Sequence, residues 1–173
     1  MIKILFAHYT RVLAHKAWVY YYGRKLGVGR CQLLIHDLSK FKLDEAIPYA
    51  RNFFGPANLP KDRSAFFSAF SLHCARNPHH FQYWQKSPMP YKFVFEMLAD
   101  HLAASRAYEG EAVAKLSDWD WLNTNWVKMT REMHSTSISH YLTALMLYFG
   151  ETQHKAFVKK WYGDVRVRVH IPT

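Results

Sequence analysis

The stretch Leu33-Leu34-Ile35-His36-Asp37-Leu38-Ser39-Lys40-Phe41 decides how this chain is read. An apolar run ends in an imidazole and a carboxylate side by side, which packing explains poorly. Buried Asp and His each need a partner, and a divalent metal satisfies both at once. Working outward, His15 lies upstream of the pair. His73, His79 and His80 follow downstream, and Asp100 sits in a further amphipathic stretch.

Around the pair the periodicity is helical. His8, Val12, His15, Val19 and Tyr22 share one face of a helix over residues 2–22. Gly23, Gly27 and Gly29 break the chain, and a short helix over 30–39 carries the His-Asp pair near its end. A third helix over 43–54 stops at Gly55-Pro56. Pro60 opens a fourth, which runs through Phe66, Phe67, Phe70 and His73 to Asn77-Pro78. Residues 79–85 form a short helical turn, and 91–108 repeat Val94, Met97, Leu98, His101 and Leu102 at helical spacing. After a loop at Glu109-Gly110-Glu111 come a Trp-rich segment (Trp119, Trp121, Trp126), a helix over 138–149 capped by Ser135 or Thr136, and a last helix over 152–162. Residues 164–171 alternate Val165, Val167 and Val169 with Arg166, Arg168 and His170, the period of a strand. The expectation is one all-α domain over 1–173, a helical bundle with at most one short C-terminal strand. Its metal-site core spans about 8–108, and helices over 118–162 pack on that core.

The bulk numbers narrow the class. At 173 residues, 50% hydrophobic and 17% aromatic, the chain can bury a real core, which excludes a disordered linker. A net charge of +10 attracts phosphate, nucleic acid or another anionic partner. No stretch approaches the ~20 apolar residues of a membrane span. His8, Arg11, His15 and Lys16 interrupt the N-terminal segment as no signal peptide would be interrupted. Cys31 and Cys74 have no paired spacing and suit a reducing compartment, so a cytoplasmic protein is expected.

Neutral imidazole and carboxylate suit manganese, zinc, iron, nickel or cobalt, and a hydrolytic site wants three or more such ligands with a position left for water. The second functional signal is basic. Arg24, Lys25, Arg30, Lys40 and Lys42 cluster in sequence around the pair, with Arg76 and Arg106 further on. Such charges steer and hold phosphate, and arginine adds bidentate contacts; a solvated basic face is the plainer alternative. Asn77 offers a hydrogen bond to a ligand or substrate. His8 rivals His15, and Glu45, in the first turn of its helix, reads as a carboxylate favoured by the helix dipole. The Trp119–Trp126 segment reads as core or as a dimer surface.

The run from His15 to Lys40 (H-K-A-W-V, L-G, L-L-I-H-D-L-S-K-F) resembles the HD-domain superfamily of metal-dependent phosphohydrolases. With N-P-H-H at 77–80 and M-P at 89–90 it is similar to a small branch found largely in phages and bacteria; the likeness covers roughly residues 8–108. The resemblance implies a helical bundle in which His15, His36, Asp37 and Asp100 ligate a primary metal. Asp37 and Lys40 then carry catalysis, with Lys40, Arg24, Arg30, Asn77 and His79 as substrate contacts. His73, His79 and His80 resemble the extra histidines of members that hold two metals; His73 or His80 is expected to approach the site, although Pro78 interrupts their helix. The interval from His15 to His36 is shorter than in many nucleotidases of the superfamily, and Asp100 is assigned by order and helix placement alone.

The function expected is therefore hydrolysis of a nucleotide or related phosphorylated small molecule by metal-activated water, in the cytoplasm (the host's, if phage-encoded). The superfamily's habits favour a homo-oligomer. Two alternatives stand beside it. One is a di-iron oxygenase using His15, His36, Asp37, His73, His80 and Asp100. The other is a basic helical domain that binds nucleic acid or a protein partner without catalysis.

Overall fold

In a computed structural model, residues 1–110 and 112–163 are described. Among them the chain is all-α, a bundle of eight α-helices with no strand. They are α1 (Ile2–Lys25), α2 (Arg30–Ile35), α3 (Leu43–Phe54), α4 (Arg63–Arg76), α5 (Tyr91–Ala104), α6 (Asp120–Glu132), α7 (Ser135–Phe149) and α8 (Glu151–Tyr162). The strand expected over 164–171 lies outside the described residues. No described helix is long and apolar enough to cross a membrane.

Helix α5 organises the molecule. Val94 to Asp100 are all buried, so this helix is covered on every side. One side meets α1, and another meets α7. Glu96 and Asp100, four residues apart, emerge together on one face toward α1 and the His36-Asp37 segment. The C-terminal helices cover the rest of α5. Trp119, Leu122, Trp126, Tyr141, Leu145 and Phe157 join Val94, Leu98 and Leu102 in one core. Trp126 packs edge-on against Phe157 at 5.0 Å, and Trp119 Nε1 donates to Ser105 Oγ at 3.0 Å. Trp119 and Trp126 are thus core residues, so the Trp-rich segment does not turn them outward as a dimer surface. On the other side, α1 lays the stripe His8, Val12, His15, Val19 and Tyr22 inward, and α2 closes on it through Leu33. That approach needs Gly23, because a Cβ there would run into the Leu33 side chain.

Four boundaries differ from the periodicity, each for a local reason. The helix expected over 30–39 stops at Ile35, because Asp37 adopts the left-handed conformation (φ 56°, ψ 22°) that Asp tolerates better than most residues; a 3-10 turn, Leu38–Phe41, follows. Helix α4 starts at Arg63 and not at Pro60, since the Asp62 carboxylate caps it by accepting from Ala65 N at 2.9 Å. The cap of α7 is His134, whose Nδ1 accepts from Thr136 N at 3.1 Å, so Ser135 and Thr136 lie inside the helix. Residues Ser105–Glu109, read as the end of the 91–108 helix, form a π-turn, an irregularity that concentrates at functional sites.

Candidate metal centre

The break at Asp37 builds the centre. It turns the chain so that His36 and Asp37 both point inward, where a continued helix would splay neighbouring side chains about 100° apart. Helix α1 adds His15 and the end of α4 adds His73. The Pro78 break sends the chain back with His79 and His80, and α5 adds Glu96 and Asp100.

Two ligand groups result, sharing one carboxylate. In the first, single ligand atoms of His15, His36, Asp37 and Asp100 all lie within 4.8 Å of one another. His15 Nε2 is 2.8 Å from Asp100 Oδ1 and 3.8 Å from Asp37 Oδ2, and His36 Nε2 is 3.4 Å from each of those oxygens. In the second, Asp37, His73, His79 and His80 meet the same limit. Here it is the other carboxylate oxygen that faces the ligands, with Asp37 Oδ1 at 3.2 Å from His73 Nε2 and 3.3 Å from His79 Nε2. His36, His79 and Glu96 form a further overlapping trio. The ligand side chains are buried: His15, His36, Asp37, His73 and His79 are each at most 2% exposed.

These residues fit metal ions on two grounds. The donor chemistry is that of a first-row divalent cation. In addition His36 Nε2, Asp37 Oδ1, His73 Nε2, His79 Nε2 and His80 Nε2 are buried without a hydrogen-bond partner. An orphaned buried polar atom costs about 1–3 kcal/mol, so the five spread over these two groups are atoms that bound cations could satisfy.

Surrounding groups hold the imidazoles in the ligating tautomer. His36 Nδ1 donates to Glu96 Oε1 and His73 Nδ1 to Glu45 Oε2, both at 2.9 Å, which frees each Nε2 for the centre. Ser39 Oγ donates to the same Glu45 oxygen, Asn77 Nδ2 donates to Ser39 Oγ and His73 O, and Arg76 clamps Glu45 and Asp44. Lys16 donates to the backbone carbonyls of His36 and Leu34, satisfying the frayed end of α2. Lys40 Nζ lies 2.6 Å from Asp37 Oδ2.

The electrostatics follow. Burial works to raise Asp37, but His36, Lys40 and His73 hold it well below the usual carboxylate range. Burial likewise opposes, and His15 and His36 overcome it, at Asp100. His36 is driven down by burial yet held well above its ordinary value by the Asp37 carboxylate beside it and by the bond from Nδ1 to Glu96. His80 goes well below it through burial and the neighbouring His79 and His73, which suits a neutral ligand.

The structure sorts the sequence candidates. It brings together His15, His36, Asp37, His73, His80 and Asp100, with Lys40 against them. His79, read as a substrate contact, stands inside the second ligand group. Asn77, read likewise, is spent on Ser39 and His73. Arg24 gives its guanidinium to Val28 O, and Arg30 is exposed at the opposite end of α2 from His36, so neither reaches the centre. Arg106 lies over Trp18, and His8 donates to Lys40 O, outside the ligand groups. Sequence reasoning passed over Glu96 and read Glu45 as a dipole partner. A carboxylate four residues before Asp100 was the available signal for the first; no local signal marks the second.

Fold and centre together define a helical-bundle protein with a buried His/Asp/Glu cluster that could hold metal ions. The chain belongs to DUF5662, a family of unknown function, whose profile matches residues 5–145 and so covers every ligand candidate. No curated protein and no solved structure matches it.

Proposed function

We propose that this chain is a metal-dependent phosphohydrolase of the HD type, acting on a nucleotide or related phosphorylated small molecule. The observation that carries the reading is Asp37, whose two oxygens face two separate ligand groups, the arrangement expected of a carboxylate bridging a metal pair. His15, His36, Asp37 and Asp100 would hold one ion, and Asp37 with His73, His79 and His80 the other. When bound, such ions polarise a phosphoryl oxygen and lower the pKa of bound water toward about 7. Lys40, kept charged at any physiological pH by Asp37 against the pull of burial, supplies a fixed cation for the remaining phosphoryl oxygens. Glu96 and Glu45 fix imidazole orientation and take no direct part in the reaction.

The same ligands would serve a di-iron oxygenase, and the full complement of histidines favours keeping that second reading. The presence of Lys40 against the bridge argues for phosphate. The test is phosphate release from a panel of nucleoside monophosphates, cyclic nucleotides and simple phosphomonoesters, after loading with manganese, zinc, iron, nickel or cobalt. Metal-dependent release supports hydrolysis. No release with any metal, together with dioxygen uptake by the iron form, would replace it by the oxygenase reading.

A further inference from the structure

A small, partly enclosed cavity of about 120 Å³ opens on the Lys40 side of the centre. Its walls come from α1 (Arg11), the 3-10 turn (Lys40), α3 (Tyr49, Phe53, Phe54) and the π-turn (Tyr108). Two of these residues join it to the ligand cluster. Lys40 bonds Asp37, and the Tyr108 ring stacks on the His15 ring with centroids 6.0 Å apart. A larger surface cleft of about 500 Å³, lined by Phe70, Cys74 and Tyr83, adjoins the cluster through Phe70, whose ring lies 6.3 Å from that of His80, but none of its lining residues is basic.

The cavity has a definite chemistry. Its basic side chains are His8, Arg11 and Lys40, and among the described side chains no carboxylate lines it. His8 Nε2 is 3.2 Å from Lys40 O, which fixes the backbone that presents Lys40. Arg11 is held in place without a carboxylate partner among the described residues. It donates to Ala107 O at 3.2 Å, and its guanidinium lies 5.9 Å and 5.4 Å from the Phe54 and Tyr108 ring centres. One carbonyl uses a fraction of its five donors, so a preorganised fork remains for an anion. The size is equally restrictive. A cavity of about 150 Å³ accommodates a molecule the size of benzene, and pockets for larger ligands begin near 300 Å³.

We infer that this cavity seats the body of the substrate, and that the substrate is a small phosphorylated acid. Its body is a single ring or a short chain, and a second anionic group (a carboxylate or its equivalent) sits on Arg11. The inference rests on reading the centre as a phosphohydrolase and selects, within that class, compounds smaller than a nucleoside monophosphate.

The test is calorimetric binding of hydrolysis-inert probes to the manganese-loaded protein: 3-phosphonopropionate, propylphosphonate and the methylene phosphonate analogue of adenosine monophosphate. The acid should bind about tenfold tighter than the matched propyl compound, the scale of one charge-assisted contact, and tighter than the nucleoside analogue by at least as much. Arg11→Met should remove the preference for the acid while metal content stays at the wild-type level, and Arg11→Lys should retain part of it. Equal binding of acid and propyl compound, an unchanged preference in Arg11→Met, or tighter binding of the nucleoside analogue would overturn the inference. Because no turnover is read, an intact preference in a protein that releases no phosphate removes the hydrolase reading alone.

Discussion

Asp37→Asn is the most informative single substitution, because one side chain is a member of both ligand groups. Its Oδ2 lies against His15, His36 and Lys40, and its Oδ1 against His73 and His79. An amide in its place removes the only carboxylate of the second group and one of two in the first. Substituting residues that merely orient ligands weakens metal binding by about 10–100-fold, so losing a shared anionic ligand should cost at least about 100-fold, or about 2.7 kcal/mol, for each ion. Metal content by elemental mass spectrometry, on proteins purified side by side without chelator and reloaded with manganese or zinc, should fall from about two equivalents to nearly none. Asp100→Asn should lose the first ion alone and His80→Ala the second alone. In the metal-free protein, Asp37→Asn also strands Lys40 and removes the anion that raises the pKa of His36 and His73. Breaking such a buried pair costs about 3 kcal/mol, so a lowered melting temperature with native far-UV circular dichroism is expected. Two equivalents retained in Asp37→Asn would refute the bridge. Loss of both ions together in Asp100→Asn and in His80→Ala would refute the division into two groups.

The remaining expectations are narrower. Glu96→Gln should weaken metal in the first group and Glu45→Gln in the second, each by about 10–100-fold in competitive chelator titrations, since each carboxylate orients a different imidazole; identical losses from both sites would show that the carboxylates do not act separately. Lys40→Met should keep its metal and lose about 100-fold in phosphate release, and loss of metal would reassign Lys40 to holding the centre together. Gly23→Ala should cost about 1–3 kcal/mol in denaturant melts, because the new methyl meets Leu33, and an unchanged midpoint would mean that α2 shifts freely. Burial lowers His101 to about 4 from 6.5, so the unfolded chain takes up that proton first. The stability from a neutral His101 is then fully present above pH 6.5 and lost as pH falls toward 4, by up to about 3 kcal/mol. His101→Asn should flatten the metal-free protein's pH dependence in that window, and an unchanged slope would assign it to other groups.

What the sequence disclosed depended on how local each signal was. His36-Asp37 stood out because two residues with poor reasons to follow Leu-Leu-Ile were adjacent. His15 and Asp100 could be placed only by order along helices whose periodicity was plain. The break between α2 and the 3-10 turn was illegible, since Leu33 to Lys40 has ordinary helical spacing and the left-handed Asp37 meets His15 of α1, His73 of α4 and His79 beyond it. The Pro78 interruption seemed to count against the downstream histidines, yet it is what folds His79 and His80 back toward His73. Arg24 and Arg30 misled because closeness in sequence says nothing about direction along a six-residue helix. Glu45 misled because a first-turn carboxylate has a sufficient local explanation, and only the tertiary position of His73 supplies the other one.

The energetics bear on whether the proposed catalytic role or a structural one suits the centre better. A structural metal is commonly caged by four ligands of its own and holds together a fold too small to stand alone. This chain carries one continuous core of tryptophan, tyrosine and leucine, drawn mainly from α5 to α8 with Val19, Tyr22 and Leu33 from α1 and α2, and no ligand residue belongs to it. The buried imidazoles and carboxylates therefore weaken a fold that other contacts sustain. Unpaired buried polar groups of that kind concentrate where function requires them. The ligands are also shared and not duplicated, since one carboxylate serves both groups, and Lys40 carries their edge to an open cavity lined with basic groups. A site meant only to brace the bundle would gain nothing from a shared ligand or an entrance, whereas one meant to receive an anion needs both a polarising centre and a way in.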